Sequence, residues 1–103
     1  MGTIAIRQCR EILDNVEHVL AVEMLCAAQA YDRLTERMHL AAGEGTRVAH
    51  RVIREKIPFL DEDRVLADDI NAMVSLIRSG KLLTEIERAV GTLHLTSPHI
   101  EFP

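Results

Sequence analysis

The chain has no tryptophan, one tyrosine and two phenylalanines among its 103 residues. Leu, Ile, Val, Met and Ala must therefore fill the core, which suits helix packing better than sheet packing. No stretch of useful length alternates apolar and polar residues, so no strand is expected. There is no internal repeat and no glycine-rich phosphate loop. Positive charge is not in excess. The net charge is −4 with acids and bases interleaved, which argues against non-specific nucleic-acid binding, since that needs a basic face. Membrane partners are excluded on similar grounds: the most apolar run, Val19 to Ala30, is too short for a span and carries Glu23. The N-terminus has no basic region followed by an apolar run, so no signal peptide is expected. Only two cysteines occur. Cys9 and Cys26 fall on one expected helix, about 25 Å apart along its axis, and cannot bridge each other. Reduced thiols and a cytoplasmic location are the expectation.

What the chain does have is a long stretch, Thr3 to Leu40, without proline or glycine. Apolar or small residues recur at Cys9, Leu13, Val16, Leu20, Met24, Ala27 and Tyr31, the spacing of one helix face. Ile12, Val16, Val19, Cys26 and Ala30 form a second stripe beside it. From Val19 to Tyr31 only Glu23 and Gln29 interrupt, which predicts a helix buried nearly all round. Such a helix is roughly 55 Å long, whereas a compact domain of this length has a radius of gyration near ~13 Å. One end must project, and its apolar surface calls for partner helices from copies of the chain or from another protein. Ala21, Ala27, Ala28 and Ala30 would allow close approach. Beginning at residue 3, the helix looks like a segment of something larger.

The rest reads as shorter helices. Ala41 to Gly45 is a linker, with Thr46 the expected N-cap of a helix bearing Val48, Val52, Ile53 and Ile57. Pro58 ends that helix, and residues 59–65 form a loop. Leu66, Ile70, Met73, Val74 and Ile77 mark an amphipathic helix, with Asp68 and Asp69 in its first turn and Gly80 just past its end. Leu82, Leu83, Ile86, Ala89 and Val90 make a last helix, closed by Gly91. The fold class expected is all-α: one long helix plus two or three shorter ones, packed as an oligomeric bundle. Residues 1–91 form the helical unit, and 92–103 an extended or disordered tail.

Candidate chemistry is thin. Asp61-Glu62-Asp63 lacks the further ligands and the glycine of a calcium loop. His18, His39, His50, His94 and His99 include no pair four residues apart and no partnering Cys-x-x-Cys, so no zinc site is expected. Glu23 reads either as a general base or as a structural carboxylate paired across a helix interface, and the second is preferred. Cys26 has no activating base nearby and reads as a small buried residue. No Ser–His or Cys–His arrangement is present. The expectation is no catalytic, cofactor-binding or metal-binding residue.

Two runs carry a family resemblance. Met1-Gly2-Thr3-Ile4-Ala5 with Asn15 to Ala30, and Ile53-Arg54-Glu55-Lys56-Ile57-Pro58-Phe59-Leu60-Asp61-Glu62-Asp63-Arg64 with Leu66, Asp69-Ile70 and Leu76 to Leu82, resemble the C-terminal region of the histidine ammonia-lyase family. The resemblance covers about residues 1–90. It implies an all-helical homotetramer with a central bundle of long helices. It also implies ammonia elimination from an aromatic amino acid by a methylidene-imidazolone group formed from an internal Ala-Ser-Gly. This chain contains no Ala-Ser-Gly, and Arg78-Ser79-Gly80 matches it only in part. The family's catalytic tyrosines, asparagine and arginine lie N-terminal of the resembling region. Its Gln-Glu-Asp-His-Val-Ser run, bearing an active-site glutamate, comes directly before the position of Met1. The resemblance therefore implies a scaffold and oligomerisation segment, self-associating as a dimer or tetramer and partnering a catalytic N-terminal lyase chain. A stand-alone helical interaction module is the alternative. An independent enzyme using Glu23 or the histidines comes third.

Overall fold

A computed structural model describes residues 2–39 and 41–93. Four helices follow in order: α1 (Gly2–Met38), α2 (Glu44–Lys56), α3 (Leu66–Ser79) and α4 (Lys81–Val90), with no strand among the described residues. The all-α expectation holds, with one long helix and three short ones. The tail expected after Gly91 falls, from His94 onward, outside the described residues.

α1 stops two residues before Leu40 and well short of the glycines. The Thr35 hydroxyl donates to the carbonyls of Tyr31 and Asp32 at 2.7 and 3.1 Å. His39 then turns left-handed at φ 50°, its N–H still donating to the Thr35 carbonyl at 3.1 Å. Histidine, with asparagine and aspartate, is enriched in this conformation among non-glycine residues.

α2 starts earlier than expected. Gly43, not Thr46, is the N-cap, and no side chain caps the helix. Glu44 occupies the first turn, where its charge suits the helix dipole and pairs with Arg47. Thr46 is thereby drawn inside the helix. The other end is where Pro58 puts it, with Ile57 extended at φ −129°. α3 and α4 meet at Gly80, whose φ of 74° ends one helix and begins the next. The Ser79 hydroxyl donates to the Leu76 carbonyl at 2.8 Å and accepts from the Lys81 N–H at 3.2 Å, closing the corner.

α2 packs on α4, and α3 packs on both α1 and α4. Val52, Met73 and Ile57 are the largest fully enclosed side chains, with Val48, Ile53, Val74, Leu76 and Leu82 around them. Each such side chain contributes about 1.5–3 kcal/mol through the water it leaves.

The expectation of a nearly all-round buried α1 is not met within one chain. Only Ala21 and Ala28 of its 37 residues are buried. α3, with a smaller share from α2, covers one side of its middle, and at roughly 55 Å it outruns them at the N-terminal end. The radius of gyration is accordingly 16.8 Å and the longest extent 52 Å.

Candidate functional site

Two features stand out. The first is a polar clamp where α1, α2 and the 57–65 loop meet. Asp32 on α1 uses both carboxylate oxygens: Oδ1 takes His50 Nε2 at 2.8 Å, and Oδ2 accepts from Arg54 at 2.7–2.9 Å. Arg54 also donates to the Ile57 carbonyl at 3.1 Å. Gln29, one turn before Asp32, donates to the Leu60 carbonyl at 2.9 Å and accepts from the Leu60 N–H at 3.2 Å. Arg64 grips the same loop from the other side, donating to the carbonyls of Phe59 and Pro58 and to Asp69. Arg33 and Arg54 approach the Phe59 ring at 5.2 and 5.8 Å, within range of cation–π attraction. The Tyr31 and His50 rings lie 4.6 Å apart, tilted by 44°.

Beside the clamp lies an open groove of about 430 Å³, floored by apolar residues such as Val22, Ile57 and Ile70 and reaching Cys26. Cys26 is exposed rather than buried, because α3 and the loop pack to one side of it.

The second feature is the side of α1 that no described helix covers. Ile6, Ile12, Leu13, Val16 and Val19 are 47–70 % exposed. Isolated apolar side chains on a surface are ordinary, but a continuous band of them marks an interaction surface. Glu23, expected inside the apolar run, is exposed one turn beyond Val19. Near its base, Arg78 of α3 pairs with Glu17 and, at 3.0 Å, with Asp14, tying α3 to the root of the projecting half. The hydrogen bond and charge of Glu17, helped by Asp14, raise the Arg78 pKa further, so it stays cationic.

The remaining sequence candidates are not brought together. His18 Nδ1 sits 2.7 Å from the Asp14 carbonyl of its own helix, and Asp61, Glu62 and Asp63 point to solvent. His94 and His99 lie outside the described residues. Among the described residues no three His, Cys, Asp or Glu side chains converge as a metal site would need, and no helix is long and apolar enough to cross a membrane. The clamp was missed in the sequence. Its signal was a pair of polar positions one turn apart on each of two core-facing helices, Gln29 with Asp32 and His50 with Arg54.

The family described as aromatic amino acid lyase matches residues 1–55, all of α1 and nearly all of α2. The chain belongs to the aromatic amino acid lyase family. Relatives of this lyase-family chain include the histidine ammonia-lyase of Natranaerobius thermophilus, 47% identical over 93 residues, covering 90% of this chain and 18% of that protein. That of Symbiobacterium thermophilum is 45% identical over 94 residues, again 90% of this chain and 18% of the relative. The one from Caldanaerobacter subterraneus subsp. tengcongensis is 50% identical over 82 residues, 80% of this chain and 16% of its own. The chain thus spans under a fifth of the length of the curated relatives it matches. No solved structure matches it.

Proposed function

We propose that this chain is a scaffold and assembly segment of a histidine ammonia-lyase, placing long helices in a bundle while a separate lyase segment carries the reaction. The observation that carries the reading is the uncovered apolar face of α1, in a chain whose identity to histidine ammonia-lyases is confined to under a fifth of their length. The sequence supports it from the other side. There is no Ala-Ser-Gly from which the electrophilic methylidene-imidazolone could form. Without an electrophile, a weakly acidic β-proton and a poor ammonia leaving group have no activation. The helical core of α2, α3 and α4 favours the second reading, a stand-alone interaction module, because it gives the chain a packed interior of its own.

The test is to mix or co-express the chain with the remaining, electrophile-bearing segment of a histidine ammonia-lyase and follow urocanate absorbance after adding histidine. The chain alone is expected to match a no-protein blank. The mixture is expected to copurify and to exceed the activity of the catalytic segment alone. Turnover by the chain alone overturns the reading. Separate elution with no gain in activity leaves the stand-alone module.

A further inference from the structure

The groove beside the clamp is apolar at one end and cationic at the other. Two sets of contacts fix its direction. Arg78, near the end of α3, reaches Asp14 and Glu17, while Gln29 holds the Leu60 backbone. α3 therefore runs antiparallel to α1, which sets Ile70 at the Val22 end of the groove and the 57–65 loop at the other. Along the α1 wall, Val22, Cys26, Ala30 and Arg33 follow in steps of four, four and three, one helix face over about 16 Å. At about 430 Å³ the groove falls within the range of about 300–1,000 Å³ typical of small-molecule sites, which are mostly apolar with a few placed polar groups. Three guanidinium groups stand at its polar end: Arg33, Arg54 and Arg64. Two of them are fully engaged. Every side-chain nitrogen of Arg54 donates to Asp32, Gln29 or the Ile57 carbonyl. Every side-chain nitrogen of Arg64 donates to Asp69 or to the carbonyls of Phe59 and Pro58. Arg33 is different. It is exposed, lies 5.2 Å from the centre of the Phe59 ring, and has no hydrogen-bonded or ion-paired partner among the described residues.

We propose that this groove binds a free monocarboxylate with an unbranched apolar chain, its carboxylate held by Arg33 and its chain laid along Ala30, Cys26 and Val22 toward Ile70. Charge complementarity chooses the head group. Asp32 and Asp69 already answer Arg54 and Arg64, so Arg33 carries the unmatched charge. Its planar fork is shaped for two parallel hydrogen bonds to a carboxylate, and the Phe59 ring beneath it favours one orientation of that fork. An ammonium head would meet three guanidinium groups and no free carboxylate among them. The shape chooses the tail. A straight trough with small side chains, Cys26 and Ala30, along one wall takes an extended chain without displacing a larger residue. The ligand then removes from water apolar surface that the chain alone leaves exposed at Val22 and Leu66. This inference goes beyond the scaffold reading and does not depend on it.

The test uses the full 103-residue chain with Cys9→Ser, which leaves Cys26 as the only thiol. Cys26 lies midway along the groove and is exposed, so its rate of alkylation by N-ethylmaleimide, followed by mass spectrometry, reports whether the groove is filled. Decanoate below its micelle concentration is expected to slow the reaction saturably. Octanoate should bind more weakly, by about two- to fourfold for each methylene lost. Decanol and decyltrimethylammonium should bind at least about tenfold more weakly than decanoate, the least that a charge-assisted hydrogen bond supplies. Arg33→Gln is expected to bring decanoate down to the level of decanol, leave decanol where it was, and keep the Tm, since Arg33 is exposed. No protection by decanoate, equal protection by decyltrimethylammonium, or a decanoate affinity unmoved by Arg33→Gln overturns the proposal. So does a Cys26 already shielded without ligand. Shielding that grows with protein concentration assigns the groove to a second copy. Shielding lost on deleting residues 94–103 assigns it to the chain's own C-terminal segment. Shielding brought by an added catalytic lyase segment assigns it to that partner, and this last outcome overturns the ligand site while leaving the scaffold reading in place.

Discussion

Asp32 joins three parts of the fold through one carboxylate, since His50 and Arg54 take its two oxygens and Arg54 goes on to the Ile57 carbonyl. The Arg54 side chain is 17 % exposed, so water does not replace a lost partner freely. Asp32→Ala is therefore expected to destabilise the chain by about 2–4 kcal/mol, between the cost of an unmade charged hydrogen bond and that of a broken buried pair. Urea unfolding measures it. Asp32→Asn, which keeps an acceptor but loses the charge, is expected to fall between the wild type and Asp32→Ala. A fully exposed ion pair would show almost no effect, so a change below ~0.5 kcal/mol would mean that the clamp does not hold the loop. Met73 offers a purely apolar comparison. It is fully enclosed, and Met73→Ala is expected to cost about 2–5 kcal/mol in the same assay.

Between the helices, Gly80 matters for a backbone reason. A Cβ there meets nothing within 4 Å, so space is not the constraint, but its φ of 74° is the left-handed region that side chains resist. Gly80→Ala is expected to destabilise by about 1–2 kcal/mol, read as a lowered Tm, with the helical circular dichroism at low temperature unchanged. Gly80 and the end of α2 before Pro58 were both legible in the sequence, because each is decided by the conformational range of one or two residues. α3 was legible because its apolar spacing and its two early aspartates agree. The start of α2 was not, since Glu44, Thr46 and Gly43 all offer a plausible first turn and tertiary packing against α4 selects among them. The clamp was illegible for a related reason. Gln29 and Asp32 lie on one helix, and nothing local says that His50, Arg54 and the Leu60 backbone are what they meet. Glu23 and Cys26 are uncovered within one chain because apolar periodicity reports which faces seek cover, not whether one chain supplies it.

On the scaffold reading proposed above, the division between a covered and an uncovered side of α1 separates folding from assembly. Met24 packs against the core formed by α2, α3 and α4, whereas Leu13 is 61 % exposed and belongs to the projecting half. A charge placed at each position should therefore fail in a different way. Met24→Lys buries an unpaired ammonium in the core and is expected to unfold the chain, with loss of helical circular dichroism. Leu13→Lys leaves that core untouched. Its ammonium is fully hydrated in a monomer and stranded only when a partner helix closes over it. Leu13→Lys is thus expected to keep the core melting as a cooperative unit while light scattering reports a monomer. The wild-type chain should behave differently again, with a Tm that rises with protein concentration, because association favours the folded state by mass action. Hydrogen exchange localises the effect. Amides of residues 5–16 should gain protection with concentration in the wild type and lose that dependence in Leu13→Lys, while those of residues 21–32, backed by α3, stay protected in both. A wild-type Tm independent of concentration, with residues 5–16 equally protected at every dilution, would show that one copy already stabilises its own projecting helix, and the band of exposed side chains along it would then need no partner.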